Sequence, residues 1–381
     1  MRDVYITDLG LFLPNAAVEN DAIEGVLGMV GGRPSRARRI ILGRNGIYAR
    51  HYAIDPATGA FTHNNAKMAA QAVRSALASA KLSLADLDCL ACGTSSPDQF
   101  KPSHAHMVHG ELASPPCEVA AVAGVCTAGA TALKYAYFAV ATGGANLAVS
   151  TGSEFASSFM QAAQFGSEPG IEKDAERQPL VGFEKDFLRW MLSDGAGAAV
   201  LRPQPNEDRV SLRIDWIDCL SYAGELPVCM YSGADLEADG RLRGWREVPP
   251  YEAVKRGFFT VKQDARRLEQ HIIDISVMRA LRTIMARHDL KPADIDWFLP
   301  HYSSEYFRNP LRDALVAIDF PLPMDRWFSN MAYRGNIGSA MMYSLLEELL
   351  YSGRIRRGDR LLCMVPESAR FAVCYAHLTA V

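Results

Sequence analysis

Apolar positions along this chain fall into short buried-type runs separated by stretches with helical spacing. The opening VYITDLGLFLP reads as a first strand over residues 1–14. NDAIEGVLGMV then reads as a short helix, and GRPSRARRIILGRNGIYARHYA as a basic, loop-rich segment. Residues 64–80 carry helical periodicity and residues 87–93 a buried strand, with a tight LSLADLD connection between them. After a loop over 94–103 comes a helix through Gly110, then an apolar run ending in Gly124-Val125. Residues 127–140 have the small-residue spacing of a tightly packed helix, and NLAVSTGSE and SDGAGAAVL are further buried strands. Between those two, residues 155–190 form a long irregular excursion, a length that in compact folds is usually functional or disordered.

The second half, from about Val210, repeats the order of the first. RSALASAKLSLADLDCLACGTSS and RTIMARHDLKPADIDWFLPHYSS align without gaps, Arg74 and Arg282 standing 208 positions apart, as do Asp86 and Asp294. Further on, Gly129-Ala130 falls opposite Gly338-Ser339. This is an internal duplication of an α/β unit. Alternating strands and helices predict parallel sheets with right-handed crossovers and helices on both faces.

Composition changes the picture little. The chain has 381 residues, 49% of them hydrophobic, enough for a large core. Its formal charge of -3 gives no general pull toward nucleic acid or an anionic membrane. No apolar window reaches the ~20 residues of a membrane span, and the N-terminus lacks a signal-peptide core, so the expected location is cytoplasmic. The eight cysteines lack the spacing of a small secreted scaffold and read as reduced thiols. Cys89 and Cys92 lie within one strand on opposite faces, and His104, His106 and His109 have no thiol or carboxylate beside them, so no metal is expected.

Cys126 has the most pointed chemistry. It tops a strand-to-helix elbow, where unpaired N–H groups and the positive end of the helix dipole favour a thiolate. A duplicated α/β unit packs about a pseudo-two-fold axis, which brings the strand ends of the halves together, where such sheets place ligands. There the second half offers His301, in the position of Gly93, and Asn336, at the head of the matching helix.

The series A-G-V-C-T-A-G, S-D-G-A-G-A-A, P-H after D-I-D-W-F-L, and G-N-I-G-S-A resembles the thiolase-fold condensing enzymes, and among them β-ketoacyl-ACP synthase III, over nearly the whole chain. The resemblance implies two duplicated βαβαβ-type halves, residues 1–205 and 206–381, forming a five-layered α-β-α-β-α core. It implies that Cys126 accepts the acyl group while His301 and Asn336 bind the thioester carbonyl of the second substrate. Oxyanion donors would be the backbone N–H of Cys126 and one near Ala369. Two neutral donors at an enolate stabilise its charge without quenching it. No cofactor is expected beyond acyl thioesters of acyl carrier protein or CoA, and a homodimer is.

Departures from the synthase III pattern carry information. The segment after His301 reads H-Y-S-S-E-Y-F-R instead of H-Q-A-N, Ile40 stands where a tryptophan usually lies on the coenzyme adenine, and Arg44 is retained. PESARFAVC replaces a glycine-rich loop, with Ala369 and Arg370 where glycines are expected; non-glycine residues rarely adopt positive φ, so the second oxyanion donor would be held differently. G-G-R-P-S-R-A-R-R-I-I-L-G-R-N-G-I, P-H-Y-S-S-E-Y-F-R and P-E-S-A-R-F resemble the ketosynthases that build cyclohexanedione precursors of dialkylresorcinols. A standard chain-initiating synthase, an acyltransferase to an oxygen or nitrogen acceptor, and a non-catalytic subunit are the alternatives. Phe100, Glu154 and Ser303 are expected near the substrate tunnel, with Glu154 either a base or a structural acid. A basic rim for the acidic carrier protein would comprise Arg36, Arg38, Arg39 and Arg44 with Lys255, Arg256, Arg266 and Arg267.

Overall fold

The computed structural model describes residues 1–35, 37–165 and 188–381. Arg36 and most of the 155–190 excursion lie outside the described residues. In chain order the main elements are β1 (Tyr5–Phe12), α1 (Arg38–Asn45), α2 (Asn65–Ala80), β2 (Cys89–Thr94), α3 (His104–Leu112), β3 (Glu118–Ala123), α4 (Thr127–Ala141), β4 (Ala148–Glu154), β5 (Gly195–Arg202) and β6 (Leu212–Ser221). A continuous helical rod over residues 265–288 follows, whose first stretch is α5 (Ala265–Ile273) and whose middle is π-helical over Asp274–Leu281. Then come β7 (Trp297–Pro300), α6 (Arg308–Ala317), α7 (Met341–Tyr351), β8 (Arg360–Glu367) and β9 (Ala372–Ala380).

The strands form one nine-stranded sheet in the order β7-β8-β9-β6-β1-β5-β4-β2-β3. It is two sheets joined at a narrow seam, because β1 and β6 share only the pairs Tyr5–Arg213 and Ile6–Leu212. The expectation of parallel sheets is corrected. β2 runs parallel to β3 and β4, and β7 to β8, but β5 pairs antiparallel with β1 and β4, and β9 with β8 and β6. The last strand of each half runs against its neighbour. In the second half the return is a tight hairpin between Glu367 and Ala372, which periodicity alone does not distinguish from a longer connection.

The duplication survives as matching hydrogen bonds. Asp86 accepts from the Ser83 N–H and Asp294 from the Lys291 N–H; Asp88 takes the Leu147 N–H and Asp296 the Arg360 N–H. The Leu90–Val119 pair of the β2–β3 ladder has its counterpart, 208 positions on, in the isolated bridge Phe298–Trp327. The second half thus keeps one rung of its fifth strand.

Helices α4 and α7 fill the middle layer: α4 packs on β2 and β4 of one sheet and on β6, β8 and β9 of the other. Helices α2 and α3 cover the first sheet outside, and the 265–288 rod with α6 covers the second, giving five layers. The middle layer is tight enough to require glycine. A Cβ on Gly129 of α4 would stand 2.1 Å from the Ser339 carbonyl oxygen, and one on Gly152 of β4 would stand 2.2 Å from the same atom. Tyr343 of α7 donates its hydroxyl to the Gly129 carbonyl at 2.9 Å, sealing the crossing. Here the two halves touch with no side chain between them.

The basic segment is more ordered than its sequence predicts. Residues 38–45 form α1, closed by Gly46 at φ +69°, and Arg50 is fully buried, bonded to Asn20 and to the Trp190 carbonyl. Among the described residues, no helix is long and apolar enough to cross a membrane.

Candidate active site

The elbow forms because β3 ends at Ala123 and α4 begins at Thr127, leaving Cys126 as the residue that heads the helix. Cys126 and His301 wall the same cavity, with Ser303 beside them and Leu268, Ile272, Phe307 and Met364 supplying an apolar lining. Its open volume is about 40 Å³, room for one or two waters. An acyl chain enters only as these side chains move aside.

His301 follows the last residue of β7, its backbone N–H donating to the Met364 carbonyl at 2.8 Å. The ring is 2% exposed, and its Nδ1 has no hydrogen-bond partner among the described residues. Burial alone lowers its pKa to about 4, so the imidazole is neutral at neutral pH. Asn336 is also buried; its Oδ1 accepts from the Gly338 N–H at 3.0 Å, which leaves the amide NH2 as its donor. It heads the helical segment leading into α7 but is not among the residues walling the Cys126 cavity.

A pair of glutamates frames the elbow, and only one of them, Glu154, stands out in the sequence. By the paired ladders, Cys89–Ala148 and Trp297–Leu361, the last residues of β4 and β8, Glu154 and Glu367, are equivalent. Each reaches across the pseudo-axis to the head of the other half's central helix. Glu154 Oε1 accepts from the Ser339 N–H at 3.1 Å, and its Oε2 from the Ser95 and Ser96 hydroxyls. Glu367 Oε2 accepts from the Val125 N–H at 3.1 Å and from the Thr127 hydroxyl, the residues on either side of Cys126. Carboxylates at helix N-termini are stabilised by the dipole and the free N–H groups. Glu154 is therefore fully engaged as a structural acid. Its five-residue change of offset hid the relation: Glu154 and Glu367 stand 213 positions apart, not 208.

The same glutamates reverse the expectation for the thiol. Burial, then the charges of Glu154 and Glu367, push the Cys126 thiol well above its usual range, against the backbone N–H that favours the anion. Although Cys126 keeps partial exposure on the cavity side, its sulfur lies deep enough for desolvation to dominate. The resting nucleophile is a neutral thiol. Glu367→Gln keeps an acceptor for the Val125 N–H and removes one negative charge. We expect Cys126 to become more acidic, and its alkylation by iodoacetamide at pH 8 to accelerate several-fold, since one pKa unit is about 1.4 kcal/mol; an unchanged rate–pH curve contradicts this.

The other predicted residues are dispersed. Phe100 is 67% exposed and stacks on Trp245 at 5.2 Å, away from the cavity. Ala369 accepts from the Cys229 and Met230 N–H groups and is not on the wall, although Ser368 is. Neither Ala369 nor Arg370 takes a positive φ; in this loop that conformation falls on buried Phe371, at +56°. Arg38 is bound to Asp21, to buried Glu24 and to the Asn20 carbonyl, and Arg256 to Asp235, Glu237 and Glu252. Arg267 holds Asp264 and the Val228 carbonyl. Arg39, Arg44, Lys255 and Arg266 are exposed. Among the described residues no group of three or more His, Cys, Asp or Glu has metal-binding geometry; His104 bonds Ser153, His106 Ser103, and His109 the Pro115 carbonyl.

Residues 285–365 match the family model described as 3-oxoacyl-[acyl-carrier-protein (ACP)] synthase III C terminal. The chain is 25% identical over 355 residues to a beta-ketoacyl-[acyl-carrier-protein] synthase III of Rhodobacter capsulatus, covering 93% of this chain and 92% of that one. It is 27% identical over 358 residues to the enzyme of the same name from Dinoroseobacter shibae, covering 94% and 93%. Among solved structures, it is similar to AbyA1, a tetronic acid condensing enzyme (TM-score 0.76, 22% identity, 99% of both chains). It is also similar to OleA of Xanthomonas campestris with bound lauric acid and lauroyl-CoA (TM-score 0.72, 18% identity, 99% of both chains). The five layers are those of the thiolase fold, and the relatives matched over nearly the whole chain are named as synthase III enzymes.

Proposed function

We propose that the chain is a ketosynthase that takes an acyl group from a thioester onto Cys126. It then forms carbon–carbon bonds by Claisen-type condensation with a second acyl thioester, β-ketoacyl or malonyl, making a cyclohexanedione precursor of dialkylresorcinols. The observation that carries this reading is the apolar cavity that Cys126 and a neutral His301 wall together. The sulfur attacks the thioester carbonyl, N–H groups at the helix head hold the oxyanion, and as the original C–S bond breaks the departing sulfur takes the proton that Cys126 gives up. The second thioester then binds with its carbonyl toward His301 Nε2 and the Asn336 amide, which stabilise the enolate formed as its α-carbon loses a proton or, for malonyl, CO2. The enolate carbon attacks the acyl carbonyl, the bond to the Cys126 sulfur breaks, and that sulfur regains a proton. The likeness to relatives named synthase III supports acyl carrier protein or CoA as the thioester source. The departures after His301 and at PESARF support the ring-forming product.

A homodimer is part of the proposal. β3 is the end strand of the sheet, with Ala121, Ala123 and Gly124 exposed along it and Phe138 exposed on α4. A bare edge whose one charge is Glu118 at its start pairs readily with a second copy, and Phe100 reaches the partner's cavity by leaving its stack on Trp245.

Mixing the enzyme with a β-ketoacyl thioester and an α,β-unsaturated acyl thioester and analysing products by mass spectrometry tests the reading. A cyclohexanedione carrying both chains is expected. Chain extension by malonyl carrier protein alone, or an ester or amide product, overturns the ring-forming assignment.

The carrier-protein rim reduces to the exposed cations. Arg39→Glu with Arg44→Glu is expected to raise KM for carrier-bound substrate about tenfold while leaving small thioester mimics unchanged. Equal effects on both substrates would remove carrier docking from this surface. Arg38→Glu is no equivalent test, because it leaves the buried Glu24 carboxylate facing a like charge.

A further inference from the structure

Cys219 and Cys374 face each other on neighbouring antiparallel strands, β6 and β9, as a directly opposed pair. Opposed residues in an antiparallel ladder have Cα atoms about 4.5 or 5.5 Å apart, both within the span a disulfide bridges. Their sulfurs are 2.6 Å apart, and both are thiols. Cys374 is buried, whereas Cys219 is partly exposed, so a small oxidant meets one sulfur first.

The surroundings also separate the two sulfurs. The Cys374 S–H donating to the Cys219 sulfur holds the Cys219 thiol below its usual value, with the Lys134 charge and the Thr131 hydroxyl in support and burial and Asp218 opposing. Cys89, Cys92, Cys117, Cys126 and Cys363 are all shifted the other way, mainly by burial. Thiolate character and access decide which cysteine reacts.

We propose that Cys219 and Cys374 form a peroxide-sensitive dithiol that closes to a reversible disulfide stapling β6 to β9. The Cys219 thiolate attacks the distal oxygen of a hydroperoxide; the S–O bond forms as the O–O bond breaks, the other oxygen departs as water or an alcohol with the proton Cys219 gave up, and Cys219 becomes a sulfenic acid. The Cys374 sulfur then attacks that sulfenyl sulfur; the S–S bond forms and hydroxide departs, taking the Cys374 proton as a second water. Two thiols and one hydroperoxide give one disulfide, an alcohol or water, and water. Thr131 and Lys134 lie on α4, the helix that Cys126 heads, so the pair reports on the same layer without entering the cavity.

The test uses the full chain treated with hydrogen peroxide, then denatured, alkylated and mapped by mass spectrometry. The expected result is loss of two alkylatable thiols and two hydrogens, a peptide linking Cys219 to Cys374, and full recovery with dithiothreitol. Cys374→Ser is expected to leave a Cys219 sulfenic acid that dimedone traps, and Cys219→Ser to leave Cys374 alkylatable. Persistence of both thiols, a link to any other cysteine, or unpaired oxidation of Cys219 in the unsubstituted chain would overturn the proposal. None of these outcomes depends on whether Cys126 carries an acyl group.

Discussion

Replacing His301 by alanine leaves acyl loading of Cys126 intact and slows condensation about a hundredfold to a thousandfold, ~3 kcal/mol for one lost donor at a developing oxyanion. The size follows from the setting. His301 is buried in an apolar cavity, where a hydrogen bond to an enolate oxygen is worth far more than in water. The split between half-reactions follows from position, since the elbow N–H groups that serve loading belong to the first half of the chain and His301 to the second. Because burial holds the His301 pKa near 4, condensation from preformed acyl-enzyme should show no limb of its own between pH 5.5 and 8. Single-turnover assays that follow acyl loading and product separately provide the check. Equal loss in both steps, or a pH limb near the ordinary histidine value of about 6.5, would assign His301 another task.

Gly129→Val is expected to abolish folding. A Cβ at this position would lie 2.1 Å from the Ser339 carbonyl oxygen and 3.1 Å from the Tyr343 ring, and neither can withdraw. Ser339 is held by Glu154 through its N–H and by the Ser153 carbonyl through its hydroxyl, and Tyr343 is pinned to Gly129 and Ser150. Overpacking where the neighbour can shift costs ~1–3 kcal/mol; where backbone must part, the cost approaches the ~5–15 kcal/mol stability of a whole domain. Soluble yield and thermal unfolding read the outcome. A variant melting within a few degrees of the parent would mean that the halves do not touch here.

Much of this was legible in the sequence because the duplication is written in short-range signals. The A-D-hydrophobic-D corners at Asp86 and Asp294 fix strand starts through local hydrogen bonds, so their 208-residue spacing carried the strand ends and, with them, Cys126 and His301. What escaped depended on distant partners. Arg50 stands in a run of arginines, but Asn20 and the Trp190 carbonyl, from 30 and 140 residues away, bury it. Arg38 was expected on a docking rim and is instead tied to Glu24 and Asp21. The antiparallel returns of β5 and β9 were hidden because buried strands read alike in either direction. The thiolate expected at Cys126 followed from the helix dipole alone. That dipole is worth about half a charge, and two carboxylates plus desolvation outweigh it.

The account rests on Cys126 being the sulfur that carries the acyl group. Intact-protein mass spectrometry after mixing with an acyl thioester measures this directly. The prediction is one added acyl mass per chain, labile to hydroxylamine, mapping to the peptide of Cys126 and absent in Cys126→Ala. An acyl mass that persists in Cys126→Ala, or a wild-type chain that gains none from any acyl-CoA or acyl carrier protein, would contradict it.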